Sequence, residues 1–411
     1  MIPAWAYTSI WWSVYPLGAC GAPIRDADFP GPHHRLGRLE NWLDHIVEIG
    51  CNGLALGPIW TSTSHGYDVV NHFTIDPRLG DDQDFDDLVN ACRRRGIRVL
   101  LDGVFNHVSR DHAWVSSVLE EGRASQWAPL LRFDDRDPQG LSRFEGHGGL
   151  IELDHSHSEV VDYVASVMNH WLDRGADGWR LDAAYRVPNQ FWAQVLPEVR
   201  TLHPDSLVVA EVLHGDYAGI AQEAGFDSVT QYELWKAIWS ALKDRNPHEL
   251  MWALTRHDET RGRELPWTFV SNHDVTRIAS MVGLQGAKVA TGILMALSGT
   301  PAIYYGDEFG WLGEKTESWS SDDQIRPVLG EYPGWSSDQE QILGFTKAAI
   351  HLRRSHPWLV DAELSIIECS QSVLRWKMTG KNSESIHVEL NLAATEPHLR
   401  ISDAAAELLA I

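Results

Sequence analysis

GWRLDAA, residues 178–184, is the stretch on which the fold turns. Most of it is apolar, yet Arg180 and Asp182 stand two residues apart. On a strand both side chains leave by the same face. Charge on the inner face of a strand is costly unless it is paired or used. A short apolar strand with both signs at its far end fits a barrel of parallel strands, whose site is built at the C-terminal ends.

Seven further runs share this character: SIWWSV (9–14), CNGLALGP (51–58), IRVLLDGV (97–104), LVVAEV (207–212), SVTQYEL (228–234), WTFVSNHD (267–274) and AIYYGDEF (302–309). They are near-continuously apolar rather than alternating, as strands covered on both faces should be. Helical periods separate them. In DFDDLVNACRRRG, Phe85, Leu88, Val89 and Cys92 share one stripe, and Gly96 ends it. The acids of DDQDFDD (81–87) suit a helix N-terminus, where they complement the dipole. From Ser158 onward, Val160, Tyr163, Val164, Val167, Met168, Trp171 and Leu172 line another helix face before Gly175. Eight strands alternating with helices predict an α/β fold, a (β/α)8 TIM barrel, over an open doubly wound sheet. No Gly-rich dinucleotide fingerprint follows the first strand.

One connection is out of scale. Residues 107–157, rich in Asp, Arg, Gly and His, read as a short inserted domain after strand three. The barrel then covers 1–106 and 158–355. VLRWKM and SIHVELNL predict a small C-terminal β-domain over 356–411.

A formal net charge of −23 over 411 residues excludes the basic face that nucleic-acid binding needs. No apolar run is read as long enough to span a bilayer, and no signal peptide is read at the N-terminus. The four cysteines (Cys20, Cys51, Cys92, Cys369) lack metal-type spacing and suit a reduced, cytoplasmic setting. His33 with His34, and His155 with His157, match no zinc pair and read as solvated loop histidines. Of the 19 tryptophans, most are assigned to the core; among Trp60, Trp179, Trp192, Trp235 and Trp311 one or two are candidates for stacking on a sugar ring.

The polar residues that interrupt the strand ends carry the chemistry. They are Asp102, Asn106 and His107 on strand three, Arg180 and Asp182 on strand four, Glu211 on strand five, and Asn272, His273 and Asp274 on strand seven. Any one of them has a structural explanation as a loop or cap residue. Together they place three acids and an arginine at one mouth. Glycoside cleavage uses two carboxyl groups, one charged and one protonated. Arg180, on the face of Asp182, is placed to keep that carboxylate ionised and aimed.

These stretches resemble the alpha-amylase superfamily, glycoside hydrolase family 13. DGVFNH (102–107), GWRLDAA (178–184), VVAEV (208–212) and FVSNHD (269–274) resemble its four main motifs in order. HGYD (65–68), LIELD (150–154) and GTPAIYYGDEFG (299–310) resemble three shorter ones. The resemblance implies Asp182 as nucleophile, Glu211 as general acid and base, and Asp274 as the third acid. It implies His107 and His273 bonding the sugar ring, Tyr67 stacking beneath it and Asp102 beside the site. Arg326, in SDDQIRPV (321–328), is placed either near the sugar or on a surface loop.

Two departures bear on substrate. Many relatives have Lys-His where this chain has Tyr185 and Arg186, with the histidine carbonyl binding calcium. The residue three before Tyr67 is Ser64, where exo-α-glucosidases usually carry Asp. The expectation is a retaining hydrolase of short α-gluco-oligosaccharides, with no metal site and no cofactor; calcium at Asn106 is possible but not essential. The alternative is a transglycosidase or sugar isomerase with the same acids. A non-catalytic relative would have lost an acid, and all three are present. A metal-dependent barrel hydrolase would need ligands on strand one, and SIWWSV offers none.

Overall fold

A computed structural model describes residues 2–24, 31–316, 322–330 and 336–411. Ser321, the first residue of SDDQIRPV, lies outside them. Eight parallel strands form one sheet: β1 Trp11–Val14, β2 Gly53–Leu56, β3 Arg98–Gly103, β4 Gly178–Leu181, β5 Leu207–Ala210, β6 Ser228–Val229, β7 Trp267–Phe269 and β8 Thr300–Tyr304. Their order is β6-β5-β4-β3-β2-β1-β8-β7. A parallel bridge between Thr230 and Trp267 joins the two edges, and the Gln231 N–H donates to the Trp267 carbonyl at 3.0 Å. The sheet is thereby closed into the barrel that the alternating pattern predicted.

The outer layer is helical. Helix α1 is Leu43–Ile49, α2 Asp82–Arg94, α3 Ser158–Asp173, α4 Asn189–Leu202, α5 Tyr217–Ala224, α6 Tyr232–Asp244, α7 Ile278–Ala296 and α8 Ser337–Ser355. Helix α2 shows why these segments fold where they do. Asp81 is its N-cap, accepting from the Gln83 and Asp84 N–H groups, and Asp84 returns the bond in a capping box. Such a cap contributes about 1 kcal/mol. Phe85, Leu88, Val89 and Cys92 face inward. Helix α7 departs from the expectation about membrane-length runs: by length and composition it could cross a bilayer. Here it packs against α8 and α6, with 61% of its apolar window buried inside the barrel's shell.

Inside the barrel, Trp11, Ala55, Leu100, Leu207, Val209, Trp267, Phe269 and Ala302 form an apolar plug. Two glycines make the room. A Cβ on Gly53 would lie 2.2 Å from the Trp11 ring, and one on Gly178 would lie 2.1 Å from the Leu207 carbonyl oxygen. Side chains alternate along a strand, so two residues beyond Leu100, Gly178 and Val209 the same inner face carries Asp102, Arg180 and Glu211. The apolar plug is the floor on which the charged layer stands.

Between β3 and α3 the chain forms a two-stranded ribbon, His107–Ser109 with Leu150–Glu152, and a helix, Ala113–Glu121. After α8 a five-stranded antiparallel sheet, β9 Glu363–Cys369 to β13 Glu407–Ala410, packs on the helix His248–Glu259, on α7 and on α8. Strand six is shorter than SVTQYEL suggested. Thr230 and Gln231 close the barrel, and Tyr232 starts helix α6. Trp60, Trp179 and Trp192 are fully buried core residues.

Candidate active site

The loops at the C-terminal ends of the strands bring the nine expected site residues into one connected network. Arg180 is its centre. Its Nη1 donates to Asp102 Oδ1 (2.8 Å) and Oδ2 (3.0 Å) and to Asp182 Oδ1 (2.9 Å). Its Nη2 lies 2.7 Å from Glu211 Oε1. The Tyr67 hydroxyl donates to Asp102 Oδ2 at 3.0 Å and also contacts His273 Nε2. The Tyr67 and His273 rings stack, with centroids 5.3 Å apart and 6° between planes. His107 Nε2 is 3.0 Å from the Tyr67 carbonyl. On the far wall Arg326 donates through Nη2 to Asp274 Oδ1 (3.0 Å) and through Nε to the His273 carbonyl (2.9 Å). Arg326 is 6% exposed, so its place is in the site and not on a surface loop.

Asp182 and Glu211 are set by backbone as well as by charge. The Asp182 N–H donates to the Gly103 carbonyl at 3.0 Å, extending β4 past its end. The next residue, Ala183, takes a left-handed φ of 46°, and its N–H donates to Glu211 Oε2 at 2.8 Å. A non-glycine residue held there costs about 1–3 kcal/mol and persists only where its surroundings hold it. The strained turn thus aims an N–H at one oxygen of Glu211 while Arg180 holds the other.

The electrostatics differ from the simple expectation. Arg180 was expected to keep Asp182 ionised on its own. Instead it is shared by three carboxyls. Burial pushes the Asp182 carboxyl well up, and Glu211 and Asp102 push it further, against the pull of Arg180. Burial also raises Asp102. Asp102 and Asp182 are thus both raised, although they share one guanidinium. Asp274 goes the other way: burial pushes it up, but His273 and Arg326 outweigh that and hold it well below the usual range. Burial pulls His107 down to about 3, so it is a neutral imidazole.

Three residues of the site were not singled out from the sequence. Tyr232 donates to Glu211 Oε1 (2.9 Å) and accepts from Asn272 Nδ2 (2.8 Å). Tyr15 lies under the Arg326 guanidinium at 4.4 Å. Phe144, from the insert, stacks on His107 at 4.7 Å. Tyr15 directly follows β1 and Tyr232 stands three residues past the end of β6, the C-terminal side that flagged the others. Against the charged layer lies a cavity of about 60 Å³, lined in part by Ser13, Asp102, Arg180, Tyr232 and Asn272, with room for water.

The residues around Asn106 do not fit a calcium ion. Calcium asks for six to eight oxygen ligands with carboxylates among them. The buried carboxylate on the strand paired with His107 is Glu152. It accepts from Ser142 Oγ at 2.6 Å, and Arg132 and Arg186 each approach one of its oxygens to 3.6 Å. Its charge is met by guanidinium groups. Asn106 turns Nδ2 toward His107 Nδ1 at 3.1 Å. Elsewhere His34, Asp81 and Asp84 bring ligand-type atoms within 4.8 Å, but both acids are occupied in the cap of α2. The other paired histidines are less solvated than expected: His155 Nε2 meets the Phe105 carbonyl at 2.9 Å, and His157 caps α3.

The profile of the alpha-amylase catalytic domain matches residues 36–408. This chain belongs to the alpha-amylase family of glycoside hydrolases. It is 31% identical over 385 residues to neopullulanase 2 of Thermoactinomyces vulgaris, covering 85% of this chain and 63% of that protein. It is 28% identical over 399 residues to a cyclomaltodextrinase of Geobacillus thermopakistaniensis, covering 90% and 66%. The chain therefore spans about two thirds of the length of these curated relatives. Among solved structures, a cyclomaltodextrinase superposes with a TM-score of 0.82 at 26% identity, over 95% of this chain and 70% of that one. A cyclic α-maltosyl-(1→6)-maltose hydrolase of Arthrobacter globiformis, solved with that cyclic sugar, shares the fold at a TM-score of 0.83 and 24% identity, over 95% of this chain and 92% of that one.

Proposed function

We propose that this member of the alpha-amylase family hydrolyses α-glucosidic bonds in short gluco-oligosaccharides, with retention, through a covalent intermediate on Asp182. One observation carries the reading: Asp182 and Glu211 bind the two terminal nitrogens of a single guanidinium. That arrangement suits the roughly 5–5.5 Å carboxyl separation of retaining enzymes better than the roughly 6.5–9.5 Å of inverting ones. Glu211 protonates the glycosidic oxygen as the C–O bond breaks, and Asp182 attacks the anomeric carbon as the carboxylate, the form that the Arg180 guanidinium favours against burial. Glu211 then takes the proton of the incoming water. Asp274, kept ionised by His273 and Arg326, accepts from sugar hydroxyls. Tyr67 supplies a flat face beneath the ring, and neutral His107 bonds it. Asp102 acts by fixing Arg180 and Tyr67.

The substrate class draws support from the relatives, named as cyclomaltodextrinase, maltogenic amylase and neopullulanase. No cofactor or calcium is required in this reading, because Glu152 is already compensated by arginine. Four free cysteines, three of them buried, fit a reducing compartment, and one relative is named an intracellular maltogenic amylase.

The test is product analysis on maltose, maltotriose, isomaltose, trehalose, sucrose, a cyclic dextrin and starch, with the wild type and Asp182→Asn. Glucose or maltose released by the wild type alone supports the reading. Equal release by Asp182→Asn, or none by the wild type, overturns it.

A further inference from the structure

Two short turns meet across the mouth of the site, and each hangs on a different part of it. One belongs to the insert. Phe144–Gly146 form a single turn in which Glu145 takes a left-handed φ of 50°. The Phe144 ring stacks on His107, with 20° between planes. The other follows β4. Ala183, also left-handed, holds Glu211 Oε2, and two residues on the Tyr185 N–H donates to the Glu211 carbonyl at 3.2 Å. The turns are joined by one hydrogen bond: the Tyr185 hydroxyl donates to Glu145 Oε1 at 2.8 Å. The path Glu211–Tyr185–Glu145–Phe144–His107 is continuous.

We propose that the Glu145–Tyr185 hydrogen bond is a clasp across the acceptor side of the cleft, which admits water and restrains sugar hydroxyls in the second step. The side is fixed by chemistry and rests on the reading of Asp182 and Glu211 given above. Glu211 gives its proton to the departing oxygen and takes one from the arriving oxygen, so both pass its flank. Tyr185 is tied to the same residue through its backbone carbonyl, in the turn whose Ala183 N–H holds the carboxyl. In the second step the C–O bond to Asp182 breaks, a C–O bond to the acceptor oxygen forms, and the acceptor proton goes to Glu211. Water completes this past a closed clasp, whereas a sugar hydroxyl brings a ring that must fit beneath it.

The clasp is built to open. Glu145 is exposed and Tyr185 only half-buried. The bond has a carboxylate acceptor, which strengthens it, and its exposure to solvent weakens it. Glu145 holds a left-handed φ that needs outside support, and the bond ties it to the turn that begins at left-handed Ala183. Arg186, the next residue, reaches Glu152 of the insert at 3.6 Å. The turn after β4 is therefore tied to the insert twice, at positions where the sequence departs from the family pattern.

The test compares wild type, Glu145→Ala, Tyr185→Phe and the double variant on maltotriose, scoring transfer products against hydrolysis products. Loss of one such bond corresponds to roughly threefold to tenfold. Each single variant should raise the transfer-to-hydrolysis ratio by about that factor, and the double variant no further, because both remove one interaction. Tyr185→Phe keeps the ring and the fold, so its shift is not a folding effect. An unchanged ratio in an active enzyme, or effects that add, overturns the clasp alone. A wild type that cleaves none of the α-glucosides overturns the reading of the site and the clasp with it.

Discussion

Arg180, mostly enclosed, and Arg277, fully buried, are two arginines on one barrel, and their surroundings are opposite in kind. Arg277 is 0% exposed and, among the described residues, meets a single carboxylate, Asp307 Oδ1 at 2.9 Å. It also donates to the carbonyls of Tyr305 (2.8 Å) and Ile325 (3.0 Å) and lies over the Tyr304 ring at 4.5 Å. One positive charge faces one negative charge, and the pair fastens the loop after β8. Arg180 faces three carboxyls, Asp102, Asp182 and Glu211. Acid exceeds base there, and burial raises Asp102 and Asp182 against the one guanidinium they share. Balanced burial makes a structural ion pair, and unbalanced burial makes an acid–base site.

Substitutions that trade these roles break the contrast most directly. Asp182→Asn should lower kcat by about 10⁴-fold or more, yet leave the melting temperature unreduced, because it removes one of three crowded acids. Arg277→Met should do the reverse. It strands Asp307 in the interior and should cost about 3–5 kcal/mol of stability in thermal or denaturant unfolding. An Asp182→Asn protein that unfolds beside an Arg277→Met protein that does not would dissolve the distinction.

Glu264 sharpens the comparison, since hydrogen bonds rather than a cation hold its carboxylate. It accepts from the Val229 N–H (2.9 Å) and Gln231 Nε2 (3.0 Å), and burial pushes it up to about 8. The folded state then binds more protons than the unfolded chain between the ordinary glutamate pKa and about 8. Stability should therefore fall as pH rises through that window, by up to a few kcal/mol, and level off above it. Melting curves across pH should show a flatter decline in Glu264→Gln; an identical slope would remove Glu264 as the cause. The smallest effect is expected at Glu152, whose charge is already met by Arg132 and Arg186. EDTA or added calcium should shift the melting temperature by about 0 °C, within error, because the Glu152 carboxylate is already engaged by Arg132, Arg186 and Ser142. A rise of several degrees with calcium would show an open cation site.

The barrel and its charged ring were legible because strand periodicity is strict. Asp102, Arg180 and Glu211 each follow an inward apolar or glycine residue by two positions, so sequence spacing alone puts them on one face. What depends on closure was not legible. The sharing of Arg180 among three acids follows from strands three, four and five lying side by side. Tyr232 enters the site because Thr230 and Gln231 close on Trp267 and turn the chain into α6, where the apolar run suggested a longer strand. Phe144 and Glu145 reach the site from an insert with no periodic signal. The Arg186–Glu152 contact depends on how that insert packs against the turn after β4.

The most direct measurement is the anomeric configuration of the first product, followed by ¹H NMR from the moment the enzyme meets an α-glucosidic substrate it cleaves. A site with Asp182 and Glu211 on one guanidinium releases the α-anomer first, and the β-anomer appears later by mutarotation. A β-anomer formed first would mean direct inversion by water, with Asp182 acting as a base and no glycosyl-enzyme.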